Sequence, residues 1–171
     1  MKKSILVLGL SLVLLLTFGI NVQAQDKEVS ETGTTTFYNT FKIIPLGEGI
    51  FYMTYEGIGT TVSDTGGGLF HNATIRVLGA MKIEKGIYKD ERGWGAYNLQ
   101  NGDKVFVTYE MSGAVKQGGA GFAKGTGTII GGTGKAAGIQ GIVELNRTGV
   151  RSGIEGVGQS YTKKRINYTL P

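Results

Sequence analysis

Glycine accounts for 30 of the 171 residues, against 2 prolines and no cysteine. Ordinary usage near ~7 % would supply about 12. Glycine costs roughly 1 kcal/mol relative to alanine in a helix interior, so the excess excludes a helical bundle. Strict Gly-X-Y periodicity is missing, which excludes collagen. Hydrophobic residues make up 40 % and charged residues only 18 %, a balance that can bury a core and does not describe a disordered chain. What remains is a glycine-rich, strand-rich globular domain.

The first residues have a different character. Met1-Lys2-Lys3 is basic, Ile5 to Ile20 is almost wholly apolar, and Val22-Gln23-Ala24 offers compact residues ahead of Gln25. That is the layout of a secretory signal with cleavage after Ala24. An uncleaved anchor would need about 20 apolar residues, and this run is ~16. With no cysteine after it, lipid attachment to a processed N-terminal Cys is impossible. The expected organisation is a signal peptide over 1–24, a flexible polar leader over 25–33 and one β-barrel domain over 34–171. The expected location is outside the cytoplasm, periplasmic or secreted. Cleavage removes Lys2 and Lys3 and no acid, so the formal charge falls from +5 by two. A charge that mild, with scattered basic residues apart from Lys163-Lys164-Arg165, does not imply a nucleic-acid partner. No second apolar segment long enough to span a membrane follows, and stability must come from packing and sheet closure rather than disulfides.

Period-2 alternation dominates the rest. Phe37, Asn39, Phe41 and Ile43 share one face of a run from Thr34 to Ile44, opposite Tyr38, Thr40 and Lys42. Phe51, Met53 and Tyr55 oppose Tyr52, Thr54 and Glu56 over Ile50 to Gly57. From Thr74 to Glu84, Ile75, Val77, Gly79, Met81 and Ile83 oppose Arg76, Lys82 and Glu84. Such alternation marks half-buried antiparallel strands. Asn101-Gly102 reads as a type I′ hairpin turn, leading into a strand from Lys104 to Met111. Gly125 to Ile130, Ile139 to Leu145 and Gly158 to Leu170 bring the count to about eight. Half of the 30 glycines fall between 113 and 158, where sharp coiling and bulges are expected. The fold class is all-β: a single, antiparallel, roughly eight-stranded small barrel.

Motifs that could carry chemistry are incomplete. Gly131-Gly132-Thr133-Gly134-Lys135 lacks the first glycine and the final hydroxyl of a phosphate loop, with Ile129 and Ala136 in those places, so it reads as a hairpin. Gly125-Thr126-Gly127 fails as a dinucleotide fingerprint. His71 is the only histidine, and without cysteine a zinc site around it would need several carboxylates. Ser63 and Asp64 lie near it, but nothing shapes a nucleophile elbow. Glu56, Arg76 and Glu110, with Tyr38 and Tyr52, could form an acid–base cluster inside a barrel, yet the polar faces of strands more often meet solvent. Asn72, Asn146 and Asn167 begin glycosylation sequons that chance explains. No residue is therefore assigned a catalytic, cofactor-binding or metal-binding role.

The segment Gly125-Thr126-Gly127-Thr128-Ile129-Ile130-Gly131-Gly132-Thr133-Gly134-Lys135-Ala136-Ala137-Gly138-Ile139-Gln140-Gly141 resembles the Ile-x-Gly-Gly-[Ser/Thr]-Gly-x-[Phe/Tyr/Ala]-x-Gly-[Val/Ile]-x-Gly stretch of allene oxide cyclases. Related glycine patterns occur in dirigent proteins and in small bacterial exported proteins, where Gly102-Asp103-Lys104-Val105-Phe106 also has counterparts. The resemblance covers roughly residues 101–145. It implies an eight-stranded barrel with the glycine run as a hairpin, and a chemistry without metal or cofactor. The cyclases steer a reactive fatty-acid epoxide in an apolar pocket, and dirigent proteins orient radical coupling. Their functional side chains lie largely outside the matching segment, so none is transferred.

The resulting expectation is an exported barrel that binds a small apolar molecule without a cofactor. The alternatives are a cofactor-free isomerase or cyclase acting on a lipid-like or phenolic substrate, and a structural or interaction protein with a filled interior. A cavity of about 300 Å³ or more separates the first two from the third. A buried Glu, Asp or Tyr inside it favours catalysis over storage.

Overall fold

The computed structural model describes residues 27–116 and 120–171. Eight strands run in chain order: β1 (Lys27–Gly47), β2 (Ile50–Ser63), β3 (Thr74–Glu84), β4 (Ile87–Asn98), β5 (Lys104–Val115), β6 (Gly121–Gly132), β7 (Gln140–Val150) and β8 (Val157–Leu170). Each pairs antiparallel with its neighbours, and β8 closes onto β1 to complete a barrel. Closure leaves no sheet edge, as expected for a chain without disulfides.

The signal segment expected over 1–24 lies outside the described residues, as do Gln25 and Asp26 of the expected leader. The rest of that leader is corrected. Lys27 to Gly33 extends β1 and pairs with Leu170 back to Lys164 of β8. Its polar composition is real, but the end of β8 provides a ladder for it, and Glu31 is held by hydrogen bonds from the backbone N–H of Leu69 (2.8 Å) and the Tyr168 hydroxyl (2.6 Å).

Alternation along the expected strands sorts wall from interior as read. Ile75, Val77 and Met81 are buried, while Arg76, Lys82 and Glu84 are exposed. On the outside, Arg76 pairs with Glu56 and Arg92 with Glu110, so these carboxylates form surface ion pairs rather than an interior cluster. The outer face carries charged side chains such as Arg76, Arg92 and Glu110 beside exposed apolar ones such as Ile58, Leu78 and Trp94. Among the described residues no helix is long and apolar enough to cross a membrane.

The two ends of the barrel differ. At one, the β2–β3 loop folds Phe70 into the lumen, where its ring stands edge-on to Tyr97 (5.0 Å between centroids) and Tyr168 (5.6 Å). Leu99, Ala136 and Ile139 complete the plug. The hairpin after β4 has Gly102 at φ 87° and Asn101 at negative φ, so it is a three-residue loop rather than the expected type I′ turn. The β6–β7 connection is a hairpin with one 3₁₀ turn, Gly134–Ala136. Asp103 accepts the N–H of Lys135 at 2.9 Å, placing a carboxylate where a phosphate loop would need an anion. At the other end, where the β1–β2, β3–β4, β5–β6 and β7–β8 connections lie, the described residues leave the lumen open.

Candidate functional site

Interior polar groups form two layers across the lumen. The first is centred on Glu91, which is 0 % exposed. It sits on β4 just after a bulge, four residues of β4 (Tyr88 to Glu91) matching three of β5 (Gly113 to Met111). The extra residue breaks the alternation, so Tyr88 and Glu91 both point inward although they are three apart, with Lys89 and Asp90 outside. Arg147 reaches Glu91 from β7, donating Nη1 to Oε1 (2.6 Å) and Nη2 to Oε2 (2.5 Å), and Nη2 also donates to the Tyr88 hydroxyl (2.9 Å). The Tyr55 hydroxyl of β2 donates to Glu91, and the Tyr109 hydroxyl of β5 meets that of Tyr55 at 2.6 Å. Burial pushes the Tyr109 hydroxyl up to about 12, and it pushes Tyr55, beside the Glu91 carboxylate, and Tyr88 upward as well. All three phenols therefore stay protonated across the physiological range.

Room for these phenols comes from glycine. A Cβ on Gly79 would lie 2.5 Å from the Tyr55 ring, and one on Gly93 would meet the Tyr109 hydroxyl. Two strands give up their inward side chains so that two tyrosines can cross the lumen.

The second layer lies nearer the plug. Lys164 of β8 is 6 % exposed and donates to Thr61 Oγ1 (2.9 Å) and to the Tyr97 hydroxyl (2.7 Å), with its Nζ 4.6 Å from the Tyr97 ring centroid. Thr61 in turn shares a 2.8 Å hydrogen bond with Thr35. Burial pulls the Lys164 amine down to about 7, against a smaller upward pull from Glu31. No carboxylate forms a salt bridge with it among the described residues, which is why desolvation wins.

Space is arranged around these layers. From the open end a funnel of about 270 Å³ descends between Phe41, Ile43, Met53, Met81, Ile83 and Val115 to a floor that includes Tyr55, Tyr88 and Arg147. Beyond that floor lies a cavity of about 60 Å³, lined by apolar side chains such as Val77 and Val107 and by Lys164, Tyr97 and Thr162. Asn39, Tyr55, Arg147 and Ser160 line both, so they form the waist between funnel and cavity.

The residues weighed from sequence fall elsewhere. His71 stays in the plugging loop, where its Nδ1 accepts the backbone N–H of Ser63 at 3.3 Å; the Ser63 hydroxyl faces Thr65. No group of three potential metal ligands occurs among the described residues. Asn146 and Asn167 lie in β7 and β8, and Asn72 in the loop. Sequence reading missed Glu91, Tyr88, Arg147 and Lys164. Lys164 was detectable, because alternation back from Tyr168 and Ile166 turns it inward between Lys163 and Arg165. Glu91 was not, because the bulge hides its parity. Comparison with known proteins returned no match: no family model, no curated protein and no solved structure aligns significantly with the chain.

Proposed function

We propose that this barrel binds a small, largely apolar molecule carrying one neutral hydrogen-bonding head, admitted through the open end. The observation that carries the reading is the apolar funnel of about 270 Å³ ending on the Arg147–Glu91–tyrosine floor. An apolar wall with a few convergent polar groups is the usual make-up of a ligand site. At about 270 Å³ the funnel lies just under the roughly 300 Å³ of usual small-molecule sites, so a compact ligand fits it best. Arg147 already has its counter-charge in Glu91, so a carboxylate head would face an occupied cation and pay desolvation for little return. A hydroxyl or carbonyl can instead use the remaining guanidinium and phenol hydrogen-bonding capacity without burying a new charge. The signal layout supports export, and the resemblance to allene oxide cyclases supports an apolar ligand.

A cofactor-free isomerase is the second reading, favoured by the buried Tyr109–Tyr55–Glu91 chain next to the cavity. Such a chain could pass a proton to and from a substrate held at the waist. A filled structural barrel is disfavoured by the open funnel.

The test is displacement of an environment-sensitive fluorophore by octanol and by octanoate, together with native mass spectrometry of protein from its own exported fraction. Octanol should compete at least ten-fold better than octanoate, and Val115→Trp at the rim should weaken both. Equal competition, or none by either, would reject the reading. Recovery of the natural ligand in altered form after incubation would favour the isomerase.

A further inference from the structure

We propose that Lys164 is a covalent anchor for an aldehyde, forming an imine with a small apolar aldehyde whose tail lies in the cavity toward the waist. The inference rests on the reading above that an apolar ligand enters the barrel, and it seats an aldehyde head one layer deeper than the floor, at Lys164.

The geometry around Nζ is what a nucleophilic amine requires. A neutral amine has two N–H bonds and one lone pair. Thr61 Oγ1 and the Tyr97 hydroxyl accept two hydrogen bonds from Lys164, which accounts for both N–H bonds and leaves the lone pair unshared. Lys164 lines the cavity, and the cavity shares its waist with the funnel. From Ser160 at the waist to Lys164 is four residues along β8, roughly 13 Å at about 3.3 Å per strand residue. A linear chain with its carbonyl at Lys164 therefore lies in the cavity with its tail directed at the waist. Burial without a paired carboxylate holds the amine near 7, so about half is unprotonated at neutral pH. An ordinary surface lysine near 10.4 is unprotonated on the order of a thousand-fold less often.

Tyr97 completes the chemistry. Its oxygen accepts from Lys164, which leaves its own proton available, and burial raises its pKa so that it arrives protonated. The Nζ lone pair attacks the carbonyl carbon, the C=O π pair moves to oxygen, and one N–H proton transfers to that oxygen through Tyr97, giving a carbinolamine. Tyr97 then protonates the hydroxyl, the nitrogen lone pair forms the C=N bond, and the C–O bond breaks with release of water. The remaining N–H proton returns to the Tyr97 oxygen. Amine plus aldehyde becomes imine plus water, with no oxidant or other reactant required.

The experiment incubates the intact protein with octanal and cyanoborohydride at neutral pH, then maps reduced adducts by peptide mass spectrometry. Lys164 should be modified at least ten-fold faster than the average surface lysine, with a rate rising through pH 7 and level by pH 9. Lys164→Met should abolish that adduct. Tyr97→Phe, which keeps the ring, should slow it about ten-fold, while Lys82→Ala on the outer wall should leave the rate unchanged. Labelling of surface lysines at the same rate as Lys164, or a Tyr97→Phe rate equal to wild type, would overturn the proposal. Octanol binding without a Lys164 adduct rejects the anchor alone. Absence of octanol binding alongside a Lys164 adduct rejects the binding reading and leaves the amine chemistry standing by itself.

Discussion

Lys164 sets a pH dependence that can be worked out in sign. Its amine sits near 7 in the folded protein and near 10.4 in an unfolded chain. Between those values the unfolded state binds more protons, so stability increases with pH. The contribution is complete above about 10.4 and lost as pH falls through 7, with a full span on the order of 4 kcal/mol. Urea unfolding at pH 6.5, 8.5 and 10 should show wild type gaining stability relative to Lys164→Met across the series. If the difference between the two stays constant, the amine is not held down by burial. Such a residue is a cost at neutral pH that an apolar side chain would avoid.

At the scale of the strand, the outcome divides by whether a bulge intervenes. β3 has an uninterrupted alternation from Thr74 to Glu84, and its faces and boundaries follow from the sequence directly. β4 carries Lys89-Asp90-Glu91-Arg92 and then Gly93 and Gly95, a stretch in which charge and glycine mask any hydrophobic period. An extra residue then shifts its parity, so the strand escaped reading, and with it both Tyr88 and Glu91. Period-2 reasoning carries no information about a register that one residue resets. β1 was read short for a different reason, since a polar segment becomes a strand only when a distant partner, here β8, is present to pair with it. Gly93 belongs to the same strand-level logic. Gly93→Ala should cost about 1–3 kcal/mol by overpacking against the Tyr109 hydroxyl. In a double-mutant cycle, Tyr109→Phe should relieve at least about 0.5 kcal/mol of that cost. Costs that simply add would mean the glycine serves the neighbouring backbone and not the phenol.

Across the whole molecule, both polar layers join opposite walls of the barrel. Arg147 on β7 meets Glu91 on β4, and Lys164 on β8 meets Tyr97 on β4. Two roles could justify such struts, bracing the barrel or building a site, and thermodynamics separates them. A buried ion pair repays its desolvation poorly, and well-packed apolar replacements are often neutral or stabilising. Removing one partner strands a charge at a cost of about 3–5 kcal/mol. Arg147→Met alone should therefore lower the melting temperature by roughly 10–15 °C, at about 2–4 °C per kcal/mol for a chain of this size. Glu91→Met combined with Arg147→Met should recover most of that loss, while octanol no longer displaces the fluorophore. Recovery of stability without binding places the pair in the site. If the double variant stays as unstable as the single one, the strut braces the barrel, and the floor of the funnel is architecture.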